Sequence, residues 1–312
     1  MNAIEIVLII YIKGVCVMQE QIIITIIQYT VLICFSIIGI PGIVYRVFSK
    51  EKIGFLKWIG LYDISLMELF FITICLFLVL FFNNFSRILP LILMLYALII
   101  FKYQMTSNKI KIKNEKKFLY AFIIIIFVYM GINLYYNYIN LLDTINTINQ
   151  YRLVQLPLTM TIFLGYLLRV RLKDFNWSIT FRALFVVVLV YILYLTYFLF
   201  YDMKSLMQST PTYFIKNFVQ QIYYPSIVEE VIFRGYLLSG LLAFGVREDK
   251  SNIIQAIVFG VIHVLGFKEI SIISFLVISF QVFLGYLFGK IYLSTKSLTP
   301  CIILHALIDT LK

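Results

Sequence analysis

Both histidines of this 312-residue chain, His263 and His305, fall in its last third and inside apolar runs rather than polar loops. Glu229, Glu230, Arg234 and Asp309 share that neighbourhood. An ionisable side chain within an apolar span is costly, so it is a functional candidate by default. In Ser226-Ile-Val-Glu229-Glu230-Val-Ile-Phe-Arg234 the second acid and the arginine are four residues apart. On a helix they share one face, acid first, the favourable order for an ion pair. Glu229 points about 100° away around the helix and has no local partner, which suits a general base that activates water. A plainer reading stands beside this one. Ser226 as N-cap after Pro225, with Glu229 three residues on, spells a capping box, and two acids in a first turn suit the helix dipole.

Phe259-Gly-Val-Ile-His263 and His305-Ala-Leu-Ile-Asp309 each join positions four apart, so Asp309 can orient or charge-stabilise the His305 ring. A lone buried histidine is usually a core residue, but three such helices together invite convergence. If 226–245 runs inward while 252–267 and 298–311 run outward, Glu229, His263 and His305 lie at similar depth, roughly 5–9 Å from the helix ends at about 1.5 Å per residue. Zinc-type H-E-x-x-H and aspartyl G-x-G-D are absent, and Leu237-Leu-Ser239-Gly240 lacks the first glycine of a serine elbow. A zinc site from His263, His305 and Glu229 or Asp309 is chemically feasible but matches no standard spacing, so neither metal nor other cofactor is expected. What remains is a carboxylate that activates water, with imidazoles and a polar partner to stabilise an oxyanion.

The elements that must carry these residues follow from composition. Hydrophobic residues make up 62% and charged residues 13%, against about 45–50% and about 25% in soluble domains. With a mean hydropathy of +0.97, this excludes an ordinary soluble globule. Apolar runs lie near 22–47, 64–82, 88–102, 118–140, 153–169, 182–202, 213–245 (broken at Pro225), 252–267, 271–289 and 298–311. They show no sustained period-two alternation, so the expected fold is all-α: a polytopic transmembrane helical bundle of about ten spans. Alternate loops collect eighteen basic residues against six, the bias that marks the cytoplasmic side. The net charge of +11 then reflects topology and anionic lipid head groups rather than nucleic acid, for which no base-reading motif exists. Cys16, Cys34, Cys75 and Cys301 are scattered through apolar segments without ligand-like spacing and read as small buried hydrophobes. Residues 1–17 carry Glu5 and Lys13 and no cleavage site, so no cleavable signal is expected. The polar Met18-Gln19-Glu20-Gln21 before the first clean span suits a start at Met18, with residues 1–17 either outside the authentic chain or interfacial. Residues 1–117 read as accessory membrane spans and 118–312 as the catalytic core.

Glu229-Glu230-x-x-x-Arg234, Phe259-x-x-x-His263 and His305-x-x-x-Asp309, in that order, resemble the three motifs of the CPBP family (CAAX protease and bacteriocin-processing), intramembrane glutamic endopeptidases. The resemblance covers roughly residues 120–312. It implies that Glu229 is the general base and His263 its assistant, that Glu230, Arg234 and Phe259 are supporting residues, and that His305 with residue 309 stabilises the oxyanion. Eukaryotic-type prenyl-protein proteases of the family have Asn where this chain has Asp309. An ionised Asp cannot donate to an oxyanion, so Asp309 is expected to hold His305, which becomes the sole donor. The charge bias sets the site nearer the outer face, whereas those enzymes act on cytosolic substrates. The shared depth is the firmer expectation, because one extra span from residues 1–17 reverses the register.

The implied activity is hydrolysis of a peptide bond in a hydrophobic or lipidated peptide or protein at a multi-pass bacterial plasma membrane. CAAX-type processing, peptide maturation and bacteriocin self-immunity are the family's roles. A non-catalytic scaffold or immunity protein that binds a partner through the bundle is the alternative. A proton-coupled transporter is a third reading, disfavoured by the lack of an inverted repeat.

Overall fold

A computed structural model of the chain describes residues 65–81, 85–100, 112, 115–140, 163–201, 210–263 and 272–311. The apolar run near 22–47, the segment before Met18, and Cys16 and Cys34 lie outside these residues. Among the described residues every regular element is helical and no strand occurs. The helices are α1 (Leu66–Phe81), α2 (Phe85–Ile100), α3 (Lys116–Asn140), α4 (Phe181–Tyr201) and α5 (Pro211–Gln221). Then follow α6, a continuous stretch built from Ile227–Glu230, Val231–Leu238 and Ser239–Ala243, and α7 (Glu248–Ile262), α8 (Ile272–Thr295) and α9 (Thr299–Asp309). Within α8, Val277–Thr295 is long and apolar enough to cross a membrane, and it alone is so among the described residues. Parts of α1 and α4, and all of α9, are shorter apolar helices.

Local chemistry sets the helix ends. Thr210 caps α5 by accepting from the Tyr213 N–H, and Pro211 follows in the first turn, where its missing N–H costs nothing. The backbone leaves helical geometry at Tyr224 (φ −154°, ψ 128°), as a residue before proline tends to do. This break divides the apolar run at 213–245 into α5 and α6. Ser226 itself is helical and its side chain makes no cap bond, so the capping-box reading of Glu229 is not realised. A capping box does open α1: the Ser65 N–H donates to Glu68 Oε2 at 3.0 Å and the Glu68 N–H to Ser65 Oγ at 3.2 Å. The helix α6 ends in a Schellman motif, with Gly245 at φ +81° and bonds from Val246 N to Leu241 O and from Gly245 N to Leu242 O.

The most extensive contact is between α7 and α8, and glycines permit it. A Cβ on Gly260 would collide with Val282 Cγ2, and one on Gly289 with Asn252 Oδ1; small residues let apolar helices approach this closely. The helix α3 packs on α6, where Gly240 faces Leu119, while α2 packs on α4. One compact unit runs from Asp63 to Lys312. It therefore includes α1 and α2, which the sequence groups with the accessory region. Buried Glu68 ties α1 to α8 through an ion pair with Lys290 and a hydrogen bond from the Tyr286 hydroxyl at 3.2 Å. A strap over 176–178 anchors the start of α9: Ser297 Oγ donates to Asn176 O, Thr299 Oγ1 to Trp177 O, and Asn176 Nδ2 to Lys296 O.

Candidate active site

Motif residues of α6, α7 and α9 meet in one polar cluster. Over Val231–Leu238 the backbone of α6 adopts the wide π-helical turn, a geometry frequent at functional sites. Glu230 and Arg234 nevertheless pair as their spacing predicts, Nη1 to Oε1 at 3.0 Å, and both side chains are wholly buried. The guanidinium donates a second bond from Nη2 to the Gly285 carbonyl at 3.0 Å. Its carbon lies 4.7 Å from the Phe259 ring centre and 5.1 Å from that of Phe288. Two aromatic faces thus replace water around a buried cation.

The same Glu230 oxygen also faces His305 Nδ1, at 2.8 Å. A carboxylate only accepts, so Nδ1 carries the proton and donates. His305 Nε2 points the other way, 3.4 Å from Asp309 Oδ2 and 3.7 Å from Glu229 Oε2. The ring stacks on Phe288 at 5.0 Å between centres, tilted by 21°. The sequence assigns the holding of His305 to Asp309, but the shorter contact comes from Glu230. Asp309 and Glu230 face opposite nitrogens of the ring.

Glu229 differs from its neighbour in exposure and in commitment. Its side chain keeps 24% exposure, where that of Glu230 keeps none. The Oε2 of each lacks a hydrogen-bond partner, but Glu230 Oε1 is held by both Arg234 and His305. One carboxylate is committed to the scaffold and the other is available. His263 ends α7, half-buried, with Nδ1 2.7 Å from the Phe259 carbonyl. That carbonyl can only accept, so Nδ1 bears the proton and Nε2 of the neutral ring is the acceptor. The Phe259 ring links the two histidines, lying 4.9 Å from His263 and 6.2 Å from His305 between centres.

Glu229, Glu230, Arg234, His305 and Asp309 are therefore brought into direct proximity, and His263 joins them through the Phe259 ring. Among the described residues no group of three or more His, Cys, Asp or Glu side chains is arranged to hold a metal ion. Sequence reasoning missed Phe288, Gly285, Asn252 and Gln255. A search for ionisable side chains passes over the last two, although two amides three apart in an apolar helix are themselves a signal.

Residues 211–311 match the family model described as type II CAAX prenyl endopeptidase Rce1-like. The match begins at α5 and ends just past Asp309, so it contains the whole cluster and omits α1 to α4. No curated protein and no solved structure matches the chain.

Proposed function

Since residues 211–311 carry a domain of the Rce1-like family of type II CAAX prenyl endopeptidases, we propose that this chain is an intramembrane glutamate-dependent endopeptidase. It hydrolyses a peptide bond beside a hydrophobic or lipidated segment. The family is one of membrane proteases; the glutamate chemistry, the substrate and the multi-pass topology are our reading. One observation carries it. Of two adjacent carboxylates, Glu230 is wholly buried and taken up through Oε1 by Arg234 and His305, while Glu229 is part exposed and makes no hydrogen bond from Oε2, which lies 3.7 Å from His305 Nε2.

In this mechanism Glu229 removes a proton from water as the water oxygen bonds to the scissile carbonyl carbon. His263 assists through Nε2. His305 acts as the imidazolium, its Nδ1–H donated to Glu230 and its Nε2–H facing the carboxylates of Asp309 and Glu229. The Nε2 proton stabilises the oxyanion, with Asp309 and Glu230 fixing the ring from either side. Collapse breaks the C–N bond, and the proton held by Glu229 passes to the leaving amine. No acyl-enzyme forms. A positioned general base contributes about 10²–10⁴-fold, so Glu229→Gln should lower cleavage by that order while leaving the fold intact. Undiminished cleavage by Glu229→Gln would remove the reading.

Membrane insertion is supported by composition and by apolar side chains that face outward, Phe181 being 84% exposed and Phe127 71%; about ten spans is the count proposed from the apolar runs of the sequence. Lipid contact accounts for such surfaces. Peptide maturation, CAAX-type processing and bacteriocin self-immunity are the roles this activity would serve. A scaffold protein is the second reading, favoured by the full burial of the Glu230–Arg234 pair, which packing alone could retain. Glu229→Gln separates the two, since a scaffold tolerates an isosteric amide.

A further inference from the structure

Asn252 and Gln255 lie three residues apart on α7, and both are fully buried. Burying a primary amide is unfavourable unless its hydrogen bonds are met, and here the donors converge on one turn of α8. Asn252 Nδ2 donates to the Tyr286 carbonyl at 3.2 Å. Gln255 Nε2 donates to Asn252 Oδ1 at 2.9 Å and to the Gly285 carbonyl at 2.8 Å. The Gly285 carbonyl is also the acceptor for Arg234 Nη2. The approach depends on glycines four apart in α8: a Cβ at 289 would strike both amides, and one at 285 would lie 3.2 Å from the Ala256 Cα.

We propose that Gln255, oriented by Asn252, is a positioning residue for the candidate active site. It pins the Gly285 carbonyl; that carbonyl aims Arg234; Arg234 fixes Glu230; and Glu230 holds His305 by Nδ1. The chain of contacts runs from α7 through α8 and α6 to α9, so one amide sets the direction of an imidazole it does not touch. The consequence for catalysis rests on the protease reading above, whereas the geometric consequence for His305 does not.

The test uses the full chain in detergent micelles, labelled with ¹⁵N at histidine. Only two histidines contribute, and His263→Gln assigns them. Gln255→Met removes both donors at similar volume, and Gln255→Asn keeps an amide but shortens its reach. The expected result in either variant is a shift of the His305 ring resonances with those of His263 in place. Glu229-dependent kcat should fall by about 10-fold or more, as small misplacements of catalytic groups do, with KM little changed. If the His305 resonances of both variants coincide with wild type, the proposal is overturned whatever the activity. Movement of both histidines together overturns it as well, because general repacking then explains the change. A selective His305 shift in a protein whose wild type shows no Glu229-dependent cleavage would uphold the positioning and bring down the protease reading.

Discussion

At the scale of single residues, the division of labour between Glu229 and Glu230 follows from one helical step. Spacing to Arg234 commits the second acid and frees the first, and this much is legible in the sequence. The two-sided hold on His305 is not, because the Glu230 contact spans 75 residues and no periodicity reports it. Glu230 at Nδ1 and Asp309 at Nε2 make different predictions for Asp309. Asp309→Asn retains an oxygen that can face Nε2, so it should keep substantial activity. Asp309→Ala should lose about 10-fold or more, since a misplaced catalytic group costs up to about 10²-fold. Steady-state rates of the two variants check this, and equal, near-complete loss in both would contradict the holding role.

At the scale of elements, apolar runs announce the helices well because burial in lipid or in a bundle demands long unbroken apolar stretches. Their ends are legible where glycine or proline marks them, at Gly245 and at Tyr224 beside Pro225, and less so at the start of α7, whose polar first turn begins at Glu248, ahead of the apolar run at 252. Helix pairing is the least legible, since the glycines that admit α7 against α8 look like any others in sequence. Their environments separate them. Gly260→Ala would push a methyl into Val282, and overpacking of this kind costs about 1–3 kcal/mol. A methyl at Gly131 would meet nothing within 4 Å, and Gly131→Ala in mid-helix should stabilise by about 0.5–1 kcal/mol. Thermal unfolding in detergent should lower the midpoint for the first and raise it for the second. A neutral Gly260→Ala would mean that the two helices do not approach as described.

At the scale of the whole molecule, α1 belongs to the architecture that carries the site although it lies outside the segment matched by the family model. Glu68 reaches Tyr286 across 218 residues, a pairing that no local pattern reveals, and Tyr286 directly follows Gly285. Removing one partner of an ion pair strands a buried carboxylate, whereas removing both is often near neutral. Glu68 is buried and Lys290 part exposed, so solvent screening reduces the cost below that of a fully buried pair. Lys290→Met should therefore destabilise the protein more than the double variant Glu68→Gln/Lys290→Met. A double-mutant cycle in which the loss of the double variant equals the sum of the Glu68→Gln and Lys290→Met losses would show that the pair does not couple α1 to α8. The central claim, hydrolysis that depends on the uncommitted carboxylate, is tested most directly in cells. Membrane and secreted peptides are compared between cells that produce the wild-type chain and cells that produce Glu229→Gln at equal abundance. Peptides present with the wild type and missing with Glu229→Gln are the expected result. Identical peptide sets, together with a deletion phenotype that Glu229→Gln fully rescues, would contradict it and leave the chain a scaffold.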